Sequence, residues 1–136
     1  MRFVDTNVVL YAVSRDPGER AKFEHANAIL DSRDVALSTQ VLQEFYVQAT
    51  RPSRLHRLDH ADAVAFAETL LGFPVQEITS EIVLAAFALS DRFGISSWDA
   101  AILEASRALG CDVVLSENLS DGADYDGVRV ENPFAA

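Results

Sequence analysis

In the stretch Arg2-Phe3-Val4-Asp5-Thr6-Asn7, a strand-like pattern ends at Asp5 and two small polar residues follow. The residues before Asp5 favour an extended strand, whereas the apolar run over residues 8–13 is typical of a buried helix. We therefore predict a short central strand that ends at Asp5 and a first helix that begins at Thr6 or Asn7. Because Asp and Asn are also ordinary caps where a strand passes into a helix, this stretch alone does not identify a functional site.

The composition is typical of one globular domain, which we predict to span residues 1–136. Cys111 is the only cysteine, so an internal disulfide is excluded and a reducing compartment is favoured. Asp5 interrupts any apolar region of the kind found in signal peptides, and the longest apolar run, residues 82–89, is too short to span a bilayer. We expect a cytoplasmic protein without membrane association.

The formal net charge is −10, which by itself argues against a nucleic-acid partner, because a phosphate backbone attracts a basic surface. Two interpretations remain open. The partner is not a nucleic acid, or the protein meets phosphates through bound cations. Lys22 is the only lysine, which restricts the chemistries that depend on an ammonium group.

Strands and helices alternate along the rest of the chain. Further strands are predicted at about 35–38, 74–78, 112–115 and 128–131, and further helices at about 16–31, 39–50, 60–72, 79–93 and 96–109. The last helix is expected to place Trp98, Ile102, Ala105 and Leu109 on its buried face. This alternation predicts a three-layer α/β/α sandwich around a mostly parallel sheet of about five strands.

Several acidic or amide side chains are predicted to meet at one edge of this sheet, because parallel strands all end at the same edge. Asp5 ends the first strand, and Glu44 lies about 7–8 Å into the helix that follows the second strand. Asp99 lies in the first turn of a helix that runs back towards that edge. The residues after the fourth strand that reach the same edge are Ser116, Glu117, Asn118 and Asp121.

Each of these side chains also has an ordinary structural explanation. Glu44 could be a solvated helix residue, Asp99 could complete a capping box that Ser96 begins, and Asp121 could be a turn residue. Their convergence favours a functional explanation, since two carboxylates about 4 Å apart repel by about 4 kcal/mol at an effective dielectric near 20. A cluster of this kind protonates, separates or holds a cation, and its oxygen ligands suit Mg²⁺ or Mn²⁺ rather than zinc.

Four segments together resemble the PIN-domain ribonucleases, specifically the VapC-type toxins of bacterial toxin–antitoxin pairs. The segments are Phe3-Val4-Asp5-Thr6-Asn7, Gln43-Glu44-Phe45, Ser97-Trp98-Asp99-Ala100 and Ser116-Glu117-Asn118-Leu119. The resemblance covers the whole chain, including its length and its Asn132-Pro133-Phe134 ending. It implies a PIN-like fold and a metal-dependent hydrolysis of RNA phosphodiester bonds that leaves a 3′-hydroxyl and a 5′-phosphate.

The resemblance also implies roles for individual residues. Asp5, Glu44 and Asp99 would be catalytic and would hold Mg²⁺ or Mn²⁺. The family's fourth metal position falls at the neutral Asn118, so a fourth charge would come from Asp121 or be absent. Thr6, Ser97 and Ser116 would donate hydrogen bonds that orient carboxylates or a phosphate.

The expected partners are an RNA substrate (tRNA, rRNA or mRNA), a small cognate antitoxin and a second copy of the chain. The basic strip Arg51, Arg54 and Arg57, with His56, either follows the RNA backbone or is a solvated loop. Tyr11 and Trp98 are expected to pack in the core, with stacking on a splayed RNA base as the alternative.

Two other classes of protein remain as alternatives. The less favoured is a phosphoryl-transfer domain of the phosphatase or receiver type. Such phosphatases need a second Asp where Asn7 stands, and both types need a lysine, whereas Lys22 is predicted to lie in an exposed helix away from the site. The other is a non-catalytic α/β module that binds a metal or a basic partner at the acidic edge.

Overall fold

The computed structural model describes residues 1–135, and a six-stranded sheet is the centre of the fold among them. The strands are β1 Arg2–Val4, β2 Val35–Ser38, β3 Val75–Gln76, β4 Val113–Leu115, β5 Asp124–Tyr125 and β6 Val128–Glu131. The α-helices are α1 Thr6–Ala12, α2 Arg20–Asp31, α3 Thr39–Ala49, α4 His60–Leu70, α5 Ser80–Phe93 and α6 Ser97–Ala108, and a 3₁₀ turn over Pro17–Glu19 precedes α2.

The first strand lies in the middle of the sheet, whose order is β3-β2-β1-β4-β6-β5. Phe3 pairs with Ala36 of β2 on one side and with Val114 of β4 on the other, both in parallel. β5 is the exception, since it pairs with β6 in antiparallel orientation. The chain leaves β1 in one direction towards β3 and then returns to β4 on the other side of β1. In open sheets of this type, ligands bind beside the carboxyl ends of the strands where the order reverses.

Helices cover both faces of the sheet. Connections between parallel strands are right-handed, so the helices between β1 and β3 lie on one face and those between β3 and β4 lie on the other. In agreement, α1 packs against α2 and α3, and α3 packs against α4, while α5 packs against α6. The predicted three-layer α/β/α sandwich with a mostly parallel sheet is confirmed.

The sheet has one strand more than predicted within residues 1–135. The predicted fifth strand is β6, and the additional strand, β5, forms a hairpin with it. The turn residues Asp126 and Gly127 both have positive φ, at 55° and 92°, as a tight two-residue hairpin turn requires. β5 has only two residues, which is too short for an alternating pattern to be visible in the sequence.

Helix α6 has its predicted extent, but the prediction that Trp98 packs in the core is wrong. Ile102 and Ala105 are buried, whereas Trp98 is 71% exposed. Trp98 is the second residue of α6, and its side chain lines a cleft beside Phe87 of α5. Helical spacing places a residue on one side of a helix, but burial also requires a neighbouring element at that height along its axis.

Among residues 1–135, no helix is both long enough and apolar enough to cross a membrane.

Gly94 ends α5 and sets the direction in which the chain enters α6. Its φ of 67° lies in the left-handed region, and among residues 1–135 a Cβ atom there would meet no atom within 4 Å apart from those of Gly94 and its two chain neighbours. We expect Gly94→Ala to lower the free energy of unfolding by roughly 1–2 kcal/mol through backbone strain alone. Gly94→Asn should cost less, because Asn tolerates this conformation better. Chemical denaturation measures both variants, and an Ala variant as stable as the original chain would contradict the assignment.

Candidate active site

A cavity of about 240 Å³ opens at the carboxyl edge of the central strands. It is lined by Asp5, Thr6, Asn7, Leu10, Tyr11, Glu19, Gln40, Glu44, Gln48, Arg54, Asp99, Ile102, Glu117 and Asn118. Five of these residues are acidic and one, Arg54, is basic. We call this the acidic cavity. The segment after β1, the beginning of α3, the beginning of α6 and the loop after β4 all contribute to it, as the parallel topology requires.

Asp5 is the most deeply buried carboxylate of the acidic cavity, at 6% exposure. One of its oxygens accepts a hydrogen bond from the backbone N–H of Thr6 at 2.7 Å, which caps α1. The other accepts from Ser116 Oγ at 2.7 Å and from Asn7 Nδ2 at 3.4 Å. Burial raises the pKa of Asp5 above its usual value in spite of the bonds from Ser116 and Thr6, and the charge of Asp99 raises it further.

Asn7 connects the two segments that flank Asp5. Its side-chain amide donates to Ser116 Oγ at 3.2 Å, and its side-chain carbonyl accepts from the backbone N–H of Glu117 at 3.1 Å. The loop after β4 is therefore attached to the first turn of α1. Asn7 belongs to the predicted motif around Asp5, but this link to the loop after β4 was not predicted from the sequence. Its place two residues after Asp5 was the available signal.

Glu44 is held by two donors on one of its carboxylate oxygens. Thr6 Oγ1 donates to Oε1 at 3.1 Å, and Gln40 Nε2 donates to the same atom at 3.4 Å. Burial raises the pKa of Glu44, and the charges of Asp5 and Asp99 add to that rise. Gln40 also donates to the backbone carbonyl of Trp98 at 3.1 Å, so it joins the start of α3 to the start of α6. Gln40 was not predicted as part of the site, although its position one helical turn before Glu44 was an available signal.

Asp99 lies in the first turn of α6, as predicted. Its backbone N–H donates to Ser96 Oγ at 3.0 Å, so the capping interaction exists. Its side chain lines the acidic cavity as well, and its charge raises the pKa of both Asp5 and Glu44. Capping and membership of the acidic cavity are therefore compatible.

The structure brings some of the remaining predicted residues to the acidic cavity but not others. Asn118 and Arg54 line it, whereas Asp121 is exposed and accepts a hydrogen bond from the backbone N–H of Asn132 at 2.9 Å. Ser97 lies in the cleft beside Trp98 instead. Arg51 and Arg57 are exposed and do not line the acidic cavity, so only one of the three strip arginines reaches it.

Lys22, predicted to be badly placed for the site because it lies inside an exposed helix, does not line the acidic cavity but bonds to two residues that do. Its Nζ atom is 2.6 Å from Glu117 Oε2 and 3.2 Å from the hydroxyl of Tyr11. Tyr11 donates to Glu117 Oε1 at 2.5 Å, and its ring packs edge-on against Phe134 at 4.9 Å. We call these four residues the Lys22 cluster. A phosphatase of the type considered above remains disfavoured because Asn7 stands where it would need a second Asp.

The chemistry of the acidic cavity fits a hard divalent cation. Asp5, Glu44 and Asp99 offer only oxygen atoms, and positive charge would relieve the desolvation and mutual repulsion that raise two of their pKa values. In the conformation described for residues 1–135, no three His, Cys, Asp or Glu side chains are arranged so that they could hold a metal ion. The three carboxylates share one cavity, and coordination of a common ion would require them to move.

The raised pKa of Glu44 predicts a pH-dependent gain in stability for Glu44→Gln. The Gln side chain retains an oxygen that can accept from Thr6 and Gln40 and removes a charge that the fold disfavours. The melting temperature of the variant should exceed that of the original chain at pH 7–8. The difference should shrink as the pH falls and vanish below the ordinary value of 4.5, where Glu44 is protonated in both the folded and unfolded states.

Thermal unfolding between pH 3 and 8 tests this expectation. The matched control is Glu68→Gln, since Glu68 is an exposed residue on α4 that does not line the acidic cavity. A melting temperature of Glu44→Gln that falls below that of the original chain at neutral pH would contradict the electrostatic account.

Solved structures from several bacteria share this fold. A chain of a toxin–antitoxin complex from Klebsiella pneumoniae is 20% identical, with a TM-score of 0.73 and full coverage of both chains. VapC20 from Mycobacterium tuberculosis, a toxin that cleaves the sarcin–ricin loop, is 23% identical, with a TM-score of 0.66 over 84% of this chain and 87% of that one. VapBC2 from Rickettsia felis, bound to a DNA fragment from its promoter, has 15% identity and a TM-score of 0.65, with coverage of 96% and 97%.

These identities are low, so the likenesses establish a common fold. No curated protein sequence is significantly similar to the chain. A family model described as PIN domain, by contrast, matches residues 2–120 and thus includes every residue that lines the acidic cavity. The chain therefore belongs to the PIN-domain family, a family of nucleases.

Proposed function

We propose that this protein is a metal-dependent endoribonuclease and the toxin of a toxin–antitoxin pair. The observation that carries the proposal is the convergence of Asp5, Glu44 and Asp99 from three separate elements on the acidic cavity. Two of these carboxylates have raised pKa values because they are desolvated and close to like charges. Such an arrangement is costly for a purely structural role, and perturbed carboxylates in a cleft are typical of functional sites.

Asp5, Glu44 and Asp99 would hold Mg²⁺ or Mn²⁺, the type of ion that PIN nucleases generally use. When bound, the ion stabilises the negative charge that develops on the phosphate and makes water more acidic. Asn118 lines the same cavity and can supply an amide oxygen. Asp121 remains a candidate fourth ligand only if the loop after β4 brings it inward, since its carboxylate now caps the backbone of Asn132.

The residues of the chain contribute orientation and proton transfer. Ser116 and the backbone of Thr6 hold the carboxylate of Asp5, while the hydroxyl of Thr6 and the amide of Gln40 hold that of Glu44. One carboxylate accepts a proton from the attacking water. The water oxygen bonds to phosphorus, the bond from phosphorus to the 3′ oxygen breaks, and the leaving 3′ oxygen takes up a proton from solvent water, so the products carry a 3′-hydroxyl and a 5′-phosphate.

The proposed partners are an RNA substrate (tRNA, rRNA or mRNA) and a small antitoxin. Support for the antitoxin comes from the toxin–antitoxin complexes among the similar structures, and VapC20 makes a structured RNA loop a sensible first substrate. We also propose a homodimer. Its support is the cleft between α5 and the start of α6, where Phe87 and Trp98 are exposed and no lining residue is charged. Two chains of net charge −10 repel least at such a surface.

A cleavage assay tests the proposed activity. We expect the purified protein with Mn²⁺ to cut members of a panel of tRNA, rRNA and mRNA fragments and EDTA to stop the reaction. Asp5→Asn, Glu44→Gln and Asp99→Asn should each lower the rate by more than about 100-fold, since loss of even an outer partner of a metal ligand costs 10–100-fold. A 5′-phosphate-dependent exonuclease should degrade the downstream product.

The Glu68→Gln variant serves as the matched control in this assay and should cut at the original rate. RNA that stays intact across the whole panel would favour the alternative of a non-catalytic module that binds a metal or a basic partner. Cleavage that survives all three carboxylate substitutions would point to a contaminating nuclease.

The three arginines of the basic strip should differ in their effect on RNA. Arg54 lines the acidic cavity, whereas Arg51 and Arg57 do not. We expect Arg54→Ala to raise KM several-fold with little change in kcat and to lower the salt dependence of single-stranded RNA binding by about 0.7 in slope. Arg51→Ala and Arg57→Ala should have smaller effects. Equal effects from all three would indicate a diffuse electrostatic contribution instead of a defined contact.

A further inference from the structure

The acidic cavity presents an electrostatic problem for any polyanionic substrate. Five carboxylates line it against a single guanidinium, and the whole chain carries a net charge of −10. A cation bound by Asp5, Glu44 and Asp99 would act on the phosphate at the reaction centre. It leaves Glu19 and Glu117 as negative charges near the neighbouring part of an RNA strand, and Glu117, on the loop after β4, is the one that another group of the chain neutralises.

The Lys22 cluster contains two donors that point at one anion. Lys22 Nζ approaches Oε2 of Glu117 at 2.6 Å, and the hydroxyl of Tyr11 donates to Oε1 at 2.5 Å. The two oxygens of a single carboxylate are thus each held by a separate donor. Phosphate oxygens accept hydrogen bonds in the same way, so the arrangement is that of an anion site whose present occupant belongs to the protein.

The ammonium group of this site is fixed and charged. It lies 4.8 Å from the centre of the Tyr11 ring and 6.0 Å from that of Phe134, which restricts the position of the long side chain. Hydrogen bonds from Lys22 to Glu117 and Tyr11 raise the pKa of Lys22 to about 12, so it stays positive at any physiological pH. Its side chain is nevertheless 40% exposed, so an incoming group can reach it.

The occupant is easier to displace than the donors. The side chain of Glu117 is 26% exposed and lies on a loop, whereas Lys22 is in α2 and Tyr11 in α1. The Lys22–Glu117 ion pair is partly exposed, so solvent screening and the ordering of both side chains limit its contribution to stability. A phosphate that carries at least as much charge and more acceptor oxygens can therefore compete with Glu117 for the same two donors.

We propose that Lys22 and Tyr11 form a binding site for a backbone phosphate of the RNA strand, and that Glu117 occupies this site until RNA displaces it. This inference rests on the proposed function, since it assumes an RNA strand at the acidic cavity. It assigns Lys22 and Tyr11 to substrate binding, and it gives Glu117 the function of a built-in competitor that weakens the binding of nucleic acid.

A double-mutant cycle with Glu117→Gln and Lys22→Met tests the competition. Binding of a fluorescent single-stranded RNA oligonucleotide is measured by anisotropy in Mg²⁺, with Asp99→Asn as the common background so that the RNA stays intact. Where Lys22 is present, Glu117→Gln should tighten binding roughly two- to fivefold, which is the range expected from release of a partly exposed ion pair. In the Lys22→Met background only general repulsion between Glu117 and the strand remains, so the same substitution should tighten binding less than it does when Lys22 is present.

Further variants separate the anion site from general electrostatics. Lys22→Met alone should weaken binding several-fold and lower its salt dependence by about 0.7 in slope, and Lys22→Arg should restore both. Tyr11→Phe should weaken binding less than Lys22→Met. Glu19→Gln is the matched control for charge, because Glu19 lines the acidic cavity but, within residues 1–135, its side chain accepts only from Ser14 Oγ, at 2.6 Å. It should have the same small effect with or without Lys22.

Equal tightening by Glu117→Gln in both backgrounds would overturn the proposal, since general repulsion would then explain the effect. The absence of any tightening when Lys22 is present, or of measurable RNA binding at low salt, would overturn it as well. Failure of the proposed nuclease activity would be seen separately, as the absence of Mn²⁺-dependent cleavage by the unmodified chain. Melting temperatures of all variants show whether a loss of binding reflects unfolding.

Discussion

The burial of one charged group, the carboxylate of Asp5, is the constraint on which the rest of the site depends. Asp5 follows the central strand, so its surroundings are the parts of the fold that meet at the carboxyl edge of the sheet. A carboxylate at 6% exposure is tolerated only if its oxygens find donors, and Ser116, Asn7 and the backbone of Thr6 provide them. These bonds join the first turn of α1 to the loop after β4 and leave the raised pKa as the remaining cost.

The same principle extends to the other two carboxylates of the acidic cavity. Glu44 is held by Thr6 and Gln40, and Gln40 in turn reaches the backbone of α6 beside Asp99. The fold therefore maintains neighbouring negative charges that disfavour one another, and it does so with polar partners placed on different elements. Such a cluster lowers the stability of the fold, because its electrostatic cost is relieved only by protonation or by a cation.

The charge of the chain has to be considered locally. A net charge of −10 argues against a nucleic-acid partner when it is treated as a single number. In the structure, negative charges line the acidic cavity, the guanidinium of Arg54 lies at its wall, and the ammonium of Lys22 lies beside it. Under the proposed function, a bound divalent cation, Arg54 and Lys22 would together neutralise the phosphates of an RNA strand. Affinity for RNA would then be moderate and strongly dependent on salt.

The sequence by itself determined the fold class, because hydrophobic periodicity defines the strands and helices. It also determined that Asp5, Glu44 and Asp99 lie at one edge, because in a parallel sheet the carboxyl ends of the strands meet there. It did not determine which side chains complete the site. Trp98 has helical spacing typical of a buried face but lies where no element covers it, and Lys22 reaches Glu117 across 95 residues of chain. Asp121 and Ser97, although close in sequence to residues of the acidic cavity, face other partners. Local pattern specifies which face and which end of an element a residue occupies, whereas contacts between distant segments depend on how the elements pack, and only the tertiary structure decided those.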